Sequence, residues 1–466
     1  MTDSPFTAVH RIKRTLRRSA RLTVPRQVTL IAFAIYFSVV CTSGSAQIAY
    51  EKPPISYGAY QPQDAVAKLI ESIEAGDAKL EYDSKWGWLP SLLKHLNVSP
   101  KSQTLVFSKT SLQLHKISPR TPRALYFNDE VYLGWCRGGD LVEIAATDPN
   151  NGAIFYSVSQ SPAKPEIRRD RGQCLTCHAT HRTQGVPGFL IRSIYPDNNG
   201  RPRSGTRTYA TDHTTEFDKR FGGWFVTGKH GDIRHMGNTI ARDRSEPEHL
   251  DRESGANLLS LEERFDTSHY LRGDSDIVAL MLLEHQSQMH NYIARASIET
   301  RVARYYDRGI NEALERPLET LSPSTVRRID SAADKLVRYM LLADEVPLPN
   351  PVQGGGDFEE YFSSDENSAI RRDDKGRSLH DLDLQTRLLK YPCSYLIYST
   401  AFEALPKKMA EAVQKRLSAI LLSEKPPAGY DHLSQADRTA IAEILADTKP
   451  GYLVDTATAD SADAEL

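Results

Sequence analysis

Residues 174–178 read Cys-Leu-Thr-Cys-His, so two cysteines stand three positions apart and a histidine directly follows the second. The 466 residues contain only five cysteines and fourteen histidines, so chance is a poor explanation for this arrangement. The spacing is typical of three kinds of chemistry: a structural zinc site, a redox-active disulfide, or covalent attachment of a haem. The choice among them decides most of what the sequence indicates about function.

Zinc and disulfide chemistry fit the sequence less well than haem does. A structural zinc site needs four ligands, and because there is no second Cys-x-x-Cys pair, zinc would require His181 and another distant residue. A thioredoxin-type disulfide begins a helix that follows a strand. Here no apolar strand leads into the pair, which is instead preceded by three arginines, Arg168, Arg169 and Arg171.

Haem attachment fits every feature of the motif. Cys174 and Cys177 can form thioethers to the two vinyl groups of one porphyrin, and His178 is then held beneath the iron as its proximal ligand. Because the motif occurs once, we expect one covalently bound haem c. The arginines before the motif have three interpretations: they bind the porphyrin propionates, guide an acidic partner, or form a solvated basic loop.

The N-terminus predicts export. Residues 10–26 are strongly basic, residues 28–41 carry no charge, and small residues follow, which is the order of a signal peptide covering residues 1–46. We expect a periplasmic protein, with membrane association through an uncleaved N-terminal segment as the alternative, although the apolar stretch is short for a bilayer span. The net charge of −2 gives no indication of a nucleic-acid partner.

The motif resembles the attachment motif of c-type cytochromes. Residues 185–188, Gly-Val-Pro-Gly, are similar to the segment that follows it in many such proteins, and the resemblance implies that the Pro187 carbonyl accepts the ring N–H of His178. Together with residues 107–135 and 383–399, the motif region resembles long exported single-haem proteins that contain a cytochrome c domain. This resemblance implies haem binding and electron transfer with an unidentified redox partner.

The sixth iron ligand decides between a carrier and a catalyst. We expect Met236, which lies in a glycine-punctuated loop, because methionine is the common ligand of electron-transfer cytochromes. An open site would favour a peroxidase-like haem oxidoreductase, and a scaffold protein with a structural haem is the third alternative. We expect an electron carrier more than an enzyme. The other candidate ligands are His181, His213, His230, His235, His285, Met289 and His290.

The pattern of apolar residues predicts an α+β fold, with antiparallel strands around the haem-attachment segment and a helical C-terminal region. Asp64 is expected to cap a helix that ends near Ala75. Residues 104–160 contain short runs of β-branched and aromatic residues between turn residues, which predicts a β-meander. Further strands are expected at 188–195 and 222–228. Helices are expected at 275–306, 325–343, 381–403, 406–422 and 434–446, with a long loop at 344–378.

This pattern also predicts how the chain is organised and what its other cysteines do. Cys136 and Cys393 lie in apolar runs and are expected to be either buried thiols or one disulfide. The expected regions are a signal peptide (1–46), a mixed region with the β-meander (47–160), a haem-attachment region (161–250), a helical region (251–450) and a disordered tail (451–466).

Overall fold

Six strands form the antiparallel meander that the sequence predicts, and they follow one another in chain order across the sheet. The computed structural model describes residues 49–454, so the predicted signal peptide and most of the predicted tail lie outside the described residues. The strands of the sheet are β1 (Thr104–Val106), β2 (Arg123–Phe127), β3 (Val131–Cys136), β4 (Leu141–Asp148), β5 (Gly152–Ser159) and β6 (Ile167–Arg169).

The two faces of this sheet differ in character, because successive side chains of a strand point to opposite faces. One face is apolar and packs with the helices α1 (Ala65–Ala75) and α2 (Leu89–His95); its residues include Leu133, Ile144 and Tyr156. The other face carries Arg123, Glu143 and Phe155. Phe155 contacts the ring of His178, so this second face supports the Cys-x-x-Cys-His motif.

The motif itself lies on the single-turn helix α3 (Leu175–His178), and the helical region begins with the long helix α4 (Ile277–Ala313). A surface helix buries only one face, but every residue of α4 from 277 to 287 is buried. The helix is surrounded because it packs against both β5 and α5 (Pro323–Met340). Some of its buried polar side chains make tertiary hydrogen bonds: Gln286, for example, donates to the Tyr132 hydroxyl at 2.8 Å.

The predicted helix at 381–403 is wrong. Residues 381–390 instead fold back on themselves, with Lys390 N–H donating to the Asp381 carbonyl at 2.9 Å. Leu384 has a φ of 56°, and Pro392 has no N–H to donate, so neither fits a continuous helix. Only the 3₁₀ turn Tyr395–Tyr398 and a one-turn helix at the end of the segment are present. The remaining helices are α6 (Phe358–Phe362), α7 (Thr400–Glu403), α8 (Lys407–Leu421) and α9 (Gln435–Thr448).

The strands expected after the motif are shorter than predicted. At 188–195 only β7 (Arg192–Ile194) forms, paired with β8 (Thr208–Ala210). At 222–228 only the end forms a strand, β9 (Gly228–Lys229), and it pairs with β10 (Gln353–Gly354) inside the predicted long loop. The α+β fold is nevertheless confirmed, with the six-stranded sheet in the N-terminal half and the helices mostly in the C-terminal half.

Packing joins the sheet and the helices into one unit that begins at Tyr50. Cys136 and Cys393 are both buried and free, as expected for the first of the two alternatives. Between residues 49 and 454, none of the helices combines the length and the apolar character needed to span a bilayer.

The N-cap of α1 provides a test of the fold. The Asp64 carboxylate accepts hydrogen bonds from the N–H groups of Val66 and Ala67 at 2.8 and 3.0 Å, and from the Tyr156 hydroxyl at 2.6 Å. Asp64→Ala should therefore lower the free energy of unfolding by about 2–4 kcal/mol, because it removes a cap and leaves a buried hydroxyl unpaired. Urea unfolding measures this change, with the exposed Asp77→Ala as the control. Equal losses in the two variants would contradict the structure.

Candidate cofactor-attachment site

The three side chains of the motif share one face of a single helical turn. The N–H groups of Cys177 and His178 donate to the Cys174 carbonyl at 3.2 and 3.0 Å, which closes the turn. Before it, the Asp170 carboxylate accepts from the N–H groups of Gly172 and Cys174, both at 3.0 Å. Residues at positions i, i+3 and i+4 of a helical turn lie on the same face. Both thiols and the imidazole are therefore presented together.

The imidazole of His178 has a fixed orientation. Its Nδ1 lies 3.0 Å from the Gly188 carbonyl oxygen, and because a carbonyl only accepts, Nδ1 carries the proton. The Phe155 ring packs beside it with 4.9 Å between ring centroids. Burial lowers the pKa of His178, which keeps the ring neutral. The lone pair of Nε2 is then left as a metal ligand.

The acceptor for this histidine is Gly188 and not Pro187, so that part of the sequence prediction is wrong. The Pro187 carbonyl is already engaged, because it accepts the N–H of Ala153 on β5 at 3.0 Å. This contact requires a glycine next to Ala153, since a Cβ at Gly152 would lie 2.3 Å from the Pro187 oxygen. Pro187 thus connects residues 185–188 to the sheet, and the carbonyl of the next residue, Gly188, points toward the imidazole of His178.

Asn291 on α4 holds the same segment from the other side. Its Oδ1 accepts the N–H of Phe189 at 2.8 Å, and its Nδ2 donates to the Phe189 carbonyl at 2.8 Å. A Cβ at Gly188 would lie 2.2 Å from Asn291 Oδ1, so only glycine fits there. The sequence analysis missed Asn291; the signal was the polar run at 284–291, directly after the apolar residues 277–283.

The two thiols differ in exposure. Cys177 is exposed and Cys174 is half-buried, and both are free. Burial raises the pKa of Cys174 to about 12, and the Asp170 carboxylate adds to the effect. A reactive cysteine has a lowered pKa, so this environment does not favour a redox-active disulfide.

An ion pair lies on the sheet beside the motif. Arg123 pairs with Glu143 across Gly134, where a Cβ would lie 2.5 Å from the Arg123 Cζ. The guanidinium therefore needs the glycine in order to reach Glu143. Both residues lie on the same face of the sheet as Phe155, whose ring contacts His178.

The three arginines before the motif have separate environments. Arg168 is exposed and pairs with Glu166 at 2.5 Å. Arg169 donates to the carbonyls of Tyr60 and Tyr57 at 2.5 and 2.7 Å, so it braces the N-terminal segment. Arg171 is exposed. Of the three arginines, Arg169 is therefore the one whose guanidinium is already hydrogen-bonded to backbone carbonyls.

Met236 belongs to a different buried cluster from the one that contains Leu175 and Cys174 of the motif. Met236 is fully buried in a small cluster with Tyr195, and its Sδ lies 3.6 Å from the Ser193 hydroxyl. Ligation by Met236 stays a prediction from the sequence.

The other candidate sixth ligands are mostly engaged in the core. Nδ1 atoms of His213 and His285 lie 2.8 Å apart, and Nε2 atoms of His230 and His235 lie 3.3 Å apart. His290 Nε2 donates to the Asp129 carbonyl at 2.8 Å, Met289 is fully buried, and His181 is exposed just after the motif. In residues 49–454, no three His, Cys, Asp or Glu side chains converge as a structural zinc site would require.

Thiol reactivity tests the geometry of this turn. In the chain prepared without haem, iodoacetamide near pH 8 should alkylate Cys177 at least about tenfold faster than Cys174, because the thiolate is the reactive form. Asp170→Asn should accelerate the alkylation of Cys174, because it removes a negative charge. It keeps an oxygen that can accept from the N–H groups of Gly172 and Cys174. Peptide mass spectrometry gives both rates, with the exposed Asp140→Asn as the control. Equal rates for Cys174 and Cys177 would contradict the described burial.

Comparisons with known proteins identify no family for this chain. No family model, no curated protein and no solved structure matches it. The functional interpretation therefore depends on the residues and the geometry around the motif.

Proposed function

We propose that the protein carries one c-type haem, attached through Cys174 and Cys177 with His178 as the proximal ligand, and that it transfers electrons. One observation carries the proposal. The Nδ1–H of His178 donates to the Gly188 carbonyl, and this leaves Nε2 as a ligand on the face of the turn that also presents both free thiols.

The donor set fits a covalently bound haem. His178 is neutral, as a metal ligand must be, and within residues 49–454 its Nε2 has no hydrogen-bond partner in the structure. The two cysteines are unpaired and lie three residues apart, the spacing that thioether attachment requires. When bound, the haem supplies an iron that alternates between ferric and ferrous states.

The residues of the chain hold the proximal side in one geometry. Gly188 orients the imidazole, Asn291 fixes the peptide that follows Gly188, and Phe155 limits rotation of the ring. A hydrogen bond from Nδ1 to a carbonyl also increases the basicity of Nε2. A ligand held in this way changes little when an electron moves, and this rigidity supports a carrier.

Export agrees with the proposal. Thioether attachment takes place outside the cytoplasm, and the signal-like residues 1–46 predict the same compartment. We therefore propose a periplasmic protein that exchanges electrons with an unidentified redox partner.

Covalent attachment is tested by removing the thiols. The exported wild type should give a haem-staining band that survives denaturing electrophoresis and a pyridine haemochrome spectrum of c type. The double variant Cys174→Ala, Cys177→Ala should lose the band. The matched control removes the two distant buried thiols, Cys136→Ala and Cys393→Ala, and should keep it. A band that persists without Cys174 and Cys177 would refute the proposal.

The role of Asn291 is tested by the reduction potential. Asn291→Ala loosens the Gly188 carbonyl, which weakens its hydrogen bond to His178 and makes the imidazole a poorer donor to ferric iron. The potential should rise by about 20–60 mV, which corresponds to roughly 0.5–1.5 kcal/mol for one electron. Optical redox titration measures it. Asn311→Ala is the control, because Asn311 lies on the same helix and also donates to backbone carbonyls. Identical potentials in the two variants would exclude this role.

A further inference from the structure

A small cavity lies between strand β4, helix α4 and the segment 187–189. Its walls include Thr147 on β4 and both His290 and Ser297 on α4. The space open to the centre of a water molecule is about 10 Å³, which is room for one such molecule. The cavity thus adjoins the segment that orients the imidazole of the motif.

Thr147 lies on the face of the sheet that packs against α4. It is two residues from Ala145, which pairs with Tyr132 on β3, so the side chains of Thr147 and Tyr132 point to the same face. The rings of Tyr132 and His290 are in contact, with 6.2 Å between their centroids. Ser297 follows His290 by seven residues and therefore shares its face of the helix. The three polar side chains thus line one space between sheet and helix.

Each of these three side chains has a buried polar atom without a partner. Thr147, His290 and Ser297 are each only 2% exposed. Within residues 49–454, neither hydroxyl group forms a hydrogen bond, and Nδ1 of the imidazole forms none. Buried polar groups are costly unless they are hydrogen-bonded. Three unpaired atoms around one cavity therefore point to a ligand that can bond to all of them.

The hydrogen-bonding needs of the three atoms match those of water. His290 Nε2 donates to the Asp129 carbonyl at 2.8 Å, and burial lowers the pKa of His290 to about 4. Near neutral pH the ring therefore has a lone pair on Nδ1, which needs a donor. Each hydroxyl group can donate or accept. A water molecule can donate one hydrogen to His290 and the other to one hydroxyl, while its oxygen accepts from the second hydroxyl.

We propose that one ordered water molecule occupies this cavity and bridges Thr147, His290 and Ser297. Buried waters typically make about three hydrogen bonds, and cavities that stay dry are apolar. The water joins β4 to α4 next to the segment 187–189. The proposal is independent of the proposed function, because all three partners belong to the folded chain.

The water also positions His290 against the segment that carries Gly188. With Nε2 bonded to the Asp129 carbonyl and Nδ1 bonded to the water, the imidazole of His290 is fixed at both nitrogens. This ring contacts the ring of Phe189, with 5.5 Å between the centroids. Phe189 directly follows Gly188, so the water supports the same segment that Asn291 holds.

A crystal structure of the exported protein, at a resolution that shows ordered waters, tests the proposal directly. We expect one density peak within about 2.6–3.2 Å of the Thr147 hydroxyl, His290 Nδ1 and the Ser297 hydroxyl. A cavity without such a peak would overturn the proposal. So would a structure in which the three groups instead bond to other protein atoms.

A double-mutant cycle tests the bridge in solution. Thr147→Val and Ser297→Ala each remove one partner of the water and should each lower the melting temperature by about 1–3 °C. The double variant should lose less than the sum, because the first substitution already weakens the binding of the water. Additive losses would contradict the bridge.

The matched control combines Ser297→Ala with Thr104→Val. Thr104 lies on β1 of the same sheet, is fully buried, and has a hydroxyl without a partner among residues 49–454, but it does not line this cavity. The losses of this pair should add. Both experiments read out the water and not the haem, so their failure would leave the proposed function standing, and a protein without haem would leave the water standing.

Discussion

The hydrogen bond between His178 Nδ1 and the Gly188 carbonyl is the contact on which the rest of the site depends. It fixes the tautomer of the imidazole and so determines which nitrogen is left as a ligand. The carbonyl holds its position because Pro187, on one side, is bonded to β5 and Phe189, on the other, is bonded to Asn291 of α4. These two attachments hold residues 187–189 between the sheet and α4.

The Gly188 carbonyl is held by a strand and by a helix, so the five-residue motif needs both parts of the α+β fold. The meander supplies a flat support through Phe155 and the Arg123–Glu143 pair, and the buried helix α4 supplies Asn291 from the opposite side. The site therefore lies where the sheet and the helical region meet. In our proposal the same rigidity serves electron transfer, since a proximal ligand held by sheet and helix does not reorganise when the charge of the iron changes.

The sequence was sufficient for features that depend on local chemistry. The meander and the Asp64 cap follow from short-range patterns, and the structure confirms both. Contacts between distant segments could not be predicted: the choice of Gly188 over Pro187 depends on β5, and the role of Asn291 depends on the packing of α4. The helix predicted at 381–403 failed for the same reason, because apolar residues there fill a core without helical hydrogen bonding.

The central claim is that haem is bound covalently at Cys174 and Cys177, and peptide mass spectrometry of the exported protein tests it most directly. The account predicts that the proteolytic peptide containing residues 174–178 carries the mass of one haem on its two cysteines, while the peptides with Cys136 and Cys393 are unmodified. Recovery of the 174–178 peptide from the exported protein with two free thiols, or with a disulfide between them, would contradict the account.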